Sequence, residues 1–163
     1  MNIFEYAMQM EEDLEQHYRD MAEDCGNKGM KKIFTMLADE EAKHYKAVKR
    51  MKEQEDVDPE MTETKILDRV NTVIGEIRDE KDVAGCGENQ VDVYVKAREI
   101  EGKSRDFYNE KAAEVDKEKQ KDLFRKLAKE ENKHFNIMEN MIELVRRPER
   151  WLEDAEFFKI EEY

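Results

Sequence analysis

Cysteine, proline and glycine are all scarce in this 163-residue sequence, at 2, 2 and 6 residues, and each shortage closes off a class of structure. The two cysteines, Cys25 and Cys86, form no CxxC pair, so they suggest neither a disulfide framework nor a four-cysteine metal site. A reducing cytoplasm is the expected compartment. With so few glycines and prolines there is little turn chemistry for hairpins, and nothing in the chain reads as sheet. No segment approaches the apolar length of a membrane span, which sets aside a membrane partner. The opening MNIFEYAMQMEEDLEQ turns acidic and lacks the basic start and apolar run of a secretory signal. Positive charge is also in deficit: 29 Lys and Arg against 42 Asp and Glu give a net charge of -13. Nucleic acid is thereby excluded as a partner, because replacing condensed counterions needs a basic stripe. Attraction of cations fits better.

What the sequence has in abundance is charge, 44% of residues, beside a 39% hydrophobic share, the balance of long amphipathic helices. Its length suits one domain. Laid over one another without a gap, Met1 to Val48 and Val91 to Met138 reveal an internal repeat. Ala7, Glu11, Tyr18, Ala22, Lys31, Phe34, Leu37, Ala38, Glu40, Glu41, Lys43 and His44 recur as Ala97, Glu101, Tyr108, Ala112, Lys121, Phe124, Leu127, Ala128, Glu130, Glu131, Lys133 and His134. Any two charged helices share Lys and Ala. Two of only three histidines recurring in register, with the same Glu-to-Tyr spacing, point to duplication.

Each repeat reads as two helices, about 2–24 and 30–54 in the first and about 89–115 and 118–146 in the second, the last stopped by Pro148. Residues 55–88 form the connection, long enough to cross a bundle from end to end. Within it, 62–78 carries Ile66, Leu67, Val70, Val73, Ile74 and Ile77 at helical spacing and predicts a shorter fifth helix, whereas 82–88, with Gly85 and Gly87, reads as a loop. The expected fold is all-α, a ferritin-like four-helix bundle over 1–146 with one long crossover and a short C-terminal extension over 147–163.

At about 100° per residue, Phe4, Ala7, Met8, Leu14, Tyr18, Ala22 and Cys25 share one stripe of the first helix, and Glu11 sits in its middle. Glu41 and His44 fall inside the stripe of Ile33, Phe34, Leu37, Tyr45, Val48 and Met51. Glu101 lies among Tyr94, Ala97, Tyr108 and Ala112, and Glu131 and His134 among Phe124, Leu127, Phe135, Met138 and Ile142. Buried carboxylates are costly unless compensated. Two divalent cations balance four carboxylates and leave both imidazoles neutral, so the pattern favours a metal pair. Glu at i and His at i+3 stand one turn apart and reach one ion from one helix face. A lone ExxH is weak, but two such motifs, each paired with an inward Glu on the preceding helix, match the ligand set of di-iron and di-manganese bundles.

On Glu11 with Tyr18, EEAKH at 40–44, Glu101 with Tyr108 and EENKH at 130–134, the chain resembles the ferritin-like superfamily, most closely the di-iron domain of the rubrerythrin group. The resemblance covers roughly 1–146. It implies that Glu41 and Glu131 bridge two irons, with Glu11, Glu101, His44 and His134 as terminal ligands. It also implies chemistry with hydrogen peroxide or dioxygen, and re-reduction by an electron carrier. Rubrerythrins usually end in a rubredoxin domain with paired CxxC motifs; this sequence has none, so the implied electron donor is a separate protein of rubredoxin type. They also carry a Glu one turn after the third-helix ligand, where this sequence has Ser104. The redox-linked ligand exchange attributed to that Glu has no counterpart here, which counts against a strict peroxidase.

Tyr18 and Tyr108 read either as hydrogen-bond donors behind the ligand carboxylates or as core tyrosines, and their recurrence favours the first. His17, replaced by Phe107 in the repeat, reads as a surface or packing residue. Cys25 reads as a small buried hydrophobe, Cys86 as a loop residue, and the ten methionines as core filling. After Pro148, Trp151, Leu152, Phe157, Phe158 and Ile160 are too apolar for a solvated tail and predict packing on the bundle or on a second subunit, a homodimer being the expected assembly. Three functions follow: a di-iron oxidoreductase acting on peroxide or dioxygen in oxidative-stress defence, a ferroxidase of ferritin type, or a metal-free helical interaction module. Iron is the expected metal, with manganese and zinc able to occupy the same ligands.

Overall fold

The computed structural model describes residues 2–54, 64–81, 91–154 and 160. Six helices follow one another: α1 (Ile3–Glu23), α2 (Lys28–Gln54), α3 (Ile66–Glu80), α4 (Val91–Glu114), α5 (Glu118–Arg146) and α6 (Pro148–Asp154). No strand occurs among the described residues. The expected loop at 82–88, Cys86 within it, lies outside the described residues, as does 55–63 of the crossover. No described helix is long and apolar enough to cross a membrane.

Local chemistry explains where the helices begin. The Asn2 side chain accepts the Glu5 N–H at 2.9 Å and caps α1. Asn27, buried in the short turn, accepts the Met30 N–H at 3.0 Å, so α2 starts two residues before the periodicity expects. Pro148 ends α5 and serves as the first residue of α6, where its missing N–H costs nothing.

The hairpin α1–α2 packs against the hairpin α4–α5 through α1 on α4 and α2 on α5, while α3 lies across α2 and α5. Its stripe of Ile66, Leu67, Val70, Val73, Ile74 and Ile77 is buried there. Glycine matters at Gly29, where a Cβ would collide with the Ile77 side chain, so α2 and α3 approach backbone to side chain at that point. The described residues after α5 fold back on the same bundle, while Phe157 and Phe158, also expected to pack there, lie outside the described residues. Trp151 is buried and donates its Nε1–H to Asn140 at 3.2 Å, and the Ile160 backbone is gripped at both N–H and C=O by the Asn71 amide on α3.

Cys25 is buried, as its stripe predicts, but the expectation of a plain buried thiol is corrected: it is disulfide-bonded. Spacing along the chain is a poor guide here, because pairing depends on which residues the fold brings within a few ångströms.

The apolar core falls into two clusters. Leu14, Tyr18, Leu37, Ala38, Tyr94, Ala97, Ile137 and Met138 belong to the first, and Ala7, Ala47, Val48, Tyr108, Phe124, Leu127 and Ala128 to the second. On every long helix the residues between the clusters are the inward acids and histidines, so a polar band cuts the core across the middle.

Candidate metal centre

Glu11, Glu41, His44, Glu101, Glu131 and His134 are all fully buried and face one another in that band. One ligand atom from each of Glu11, Glu41, His44 and Glu131 lies within 4.8 Å of the others. The same holds for Glu41, Glu101, Glu131 and His134. Glu41 and Glu131 belong to both groups, so the two candidate positions share an edge. His44 Nδ1 is 2.6 Å from Glu131 Oε1, and His134 Nδ1 is 2.7 Å from Glu41 Oε1, each ring thus reaching across to the other repeat. The two rings stack at 5.4 Å with 6° between planes, as expected for residues related by the duplication.

The electrostatics are those of a site with too much negative charge for its burial. Burial, followed by the charges of Glu131 and Glu41, pushes Glu11 and Glu101 well above the usual carboxylate range. Glu131 is raised by burial and by Glu41. Glu41 goes the other way: burial opposes ionisation, but a hydrogen bond from Glu11 and the charge of His134 outweigh it and hold the carboxylate ionised. Both histidines are raised despite burial, His44 by Glu11 and His134 by Glu41. Protons thus do in this cage what cations would do better. Each of the six residues still carries at least one buried polar atom without a hydrogen-bond partner, a donor set that suits borderline divalent cations.

A family model described as Rubrerythrin matches residues 2–142. The chain belongs to the rubrerythrin family. Comparison with curated proteins and with solved structures gives no significant match. Within a rubrerythrin-type fold, the buried carboxylate and histidine groups fit a di-iron site.

The two tyrosines behave differently from one another. Tyr108 donates to Glu11 Oε1 at 2.6 Å, crossing to the other repeat, whereas the buried Tyr18 hydroxyl has no hydrogen-bond partner among the described residues. Both phenols are pushed up, first by burial and then by the nearest acid, Glu101 for Tyr18 and Glu11 for Tyr108. His17 is half-buried and lines a surface groove, apart from the six. Ser104 is buried beside Met10, its Oγ donating to the thioether at 3.9 Å.

Two further acids went unassigned in the sequence. Glu40 and Glu130, each next to a bridging candidate, are buried but turn away from the cage toward the crossover. Glu130 accepts the Thr64 N–H at 3.0 Å, just ahead of α3, and Glu40 meets Arg69 of α3 at 3.4 Å. Their identity across the repeat was the available signal.

Proposed function

We propose that this chain is a di-iron oxidoreductase that reduces hydrogen peroxide, or dioxygen, to water with electrons from a separate donor of rubredoxin type, and that it serves in oxidative-stress defence. One observation carries this reading: two four-residue groups share Glu41 and Glu131 inside a fully buried, six-residue cage. A bound pair of irons would supply Lewis acidity and two electrons, the number that converts one peroxide and two protons to two waters. Glu41 and Glu131 span both positions, Glu11 with His44 closes one end, and Glu101 with His134 closes the other. Four carboxylates match two divalent charges, so loading needs no retained proton. Tyr108 fixes the orientation of Glu11. The apolar clusters on either side keep bulk water from the cage. Manganese or zinc would compete for the same donors.

Anaerobic ferrous titration of the apo-protein tests the site. Two ions per chain are expected. Because Glu41 and Glu131 belong to both groups, Glu41→Ala or Glu131→Ala should weaken both ions, whereas Glu11→Ala or Glu101→Ala should weaken chiefly one. Failure of the native chain to bind ferrous ion sinks the reading. Turnover of peroxide with a supplied electron donor then separates an oxidoreductase from a storage ferroxidase, which would instead form a multi-subunit cage by native mass. A homodimer is the assembly proposed here.

A further inference from the structure

The cage is sealed, so the ions it is built to hold must pass a side chain that moves. Two surface grooves are lined by described residues of the helices that carry it. One, of about 290 Å³ between α4 and α5, is lined by Arg105, Lys129 and Lys133 together with three asparagines, charges that repel a divalent ion. The other, of about 350 Å³ on the α1/α4 side, is lined by Met10, Asp13, Gln16, His17, Asp20 and Ile100. Two carboxylates face this groove, and among the described residues Asp13 accepts from the neutral amide of Gln9 and Asp20 from that of Gln16.

The seam beneath this second groove is where the duplication breaks. In the register of the repeat Met10 corresponds to Ile100, and Leu14 corresponds to Ser104. The register thus puts two branched aliphatic side chains in one half of the seam, Leu14, which is completely buried, and Ile100, which packs on the same apolar cluster. The other half is closed by the unbranched Met10 and the small hydroxyl of Ser104, which touch at 3.9 Å. Met10 adjoins Glu11 in sequence, and Ser104 stands one helical turn beyond Glu101. Behind them Glu11 Oε2 and both oxygens of Glu101 lie buried with no hydrogen-bond partner among the described residues, the nearest charges being His44 Nδ1 at 3.5 Å and His134 Nδ1 at 3.1 Å.

We infer that Met10 and Ser104 are the gate through which divalent ions reach the cage from the α1/α4 groove. The inference rests on the two-metal reading above. A methionine side chain has three rotatable bonds and swings aside at low cost, whereas displacing an interlocked Leu and Ile disrupts close packing. Ser104 offers a hydroxyl oxygen along the path and leaves room where Leu would fill it. Asp13 and Asp20 raise the local concentration of cations at the outer end.

The test is stopped-flow uptake of cobalt(II) by the full-length apo-protein, followed by its visible absorption, with stoichiometry and melting temperature measured on the same samples. Ser104→Leu rebuilds on this side what Leu14 does on the other, and is expected to slow uptake by about tenfold while two ions still bind. Met10→Ala should speed it. Asn132→Leu, in the cationic α4/α5 groove, should leave the rate unchanged. If Ser104→Leu does not fold, Ser104→Val serves in its place with the same expectation. A folded Ser104 variant that loads at the native rate, or slowing by Asn132→Leu instead, overturns the gate while the metal site stands. A native chain that takes up no cobalt at all overturns the two-metal reading and the gate with it.

Discussion

Glu11, Glu101 and Glu131 are pushed above the usual carboxylate range because four carboxylates have been gathered out of water, and the same gathering raises His44 and His134. The sign of the consequence for the apo-protein follows directly. A group raised in the folded state stabilises the fold below its unfolded value, 4.5 for Glu and 6.5 for His, and loses that contribution as pH climbs through the folded one. Glu41, lowered, acts in the opposite sense, but only on the acid side of its unfolded value. Apo-protein should therefore melt at lower temperature as pH rises from about 5 to about 8, while the rise in melting temperature produced by metal grows, because fewer protons compete for the ligands. Scanning calorimetry with and without zinc or manganese across that range checks both trends. The tyrosines offer a second check. Tyr108→Phe removes a hydrogen bond to Glu11 and should weaken metal binding by about tenfold or more, the usual cost of losing a partner behind a ligand. Tyr18→Phe should change affinity far less, since that hydroxyl has no acceptor among the described residues. Competition titration against a chelator reads the difference. The repeat makes Tyr18 and Tyr108 look equivalent, and only the relative placement of the hairpins separates them.

The helix that matters most to the site without touching it is α3. It covers α2 and α5, the two helices carrying the Glu-x-x-His motifs, and it is tied down by the acids next to those motifs. Glu130 satisfies a backbone donor ahead of its first turn, where a negative charge also complements the helix dipole. Glu130→Ala removes the acceptor of that N–H, so chemical denaturation should show a loss of about 1–3 kcal/mol. Glu40 and Glu130 stood out in the sequence as identical partners. Their task could not be read there, because α3 occurs once and has no counterpart in the repeat.

At the scale of the whole molecule, a two-part apolar core pays for a central band of acids, and the C-terminal segment adds to one of those parts. Trp151 and Ile160 both join the cluster that includes the α3 stripe. Trp151→Ala opens a void and leaves Asn140 without its donor, and should cost about 3–5 kcal/mol in equilibrium unfolding. Sequence alone left the bundle and a second subunit equally open as the surface this segment covers. The contacts from Asn71 and Asn140 lie within the same chain.

Periodicity by itself determined α1 to α5, the inward stripes and the six buried acids and histidines, though not α6, because a 3.6-residue period fixes which side chains share a face and a duplication repeats the message. The family resemblance rested on the same residues. What only the tertiary structure decided were relations between elements: that each histidine meets the shared glutamate of the other repeat, that Tyr108 rather than Tyr18 reaches one of the six, that Cys25 is disulfide-bonded, and that Glu40 and Glu130 serve α3. Each depends on distances between residues far apart in the chain, and no local pattern carries such a distance.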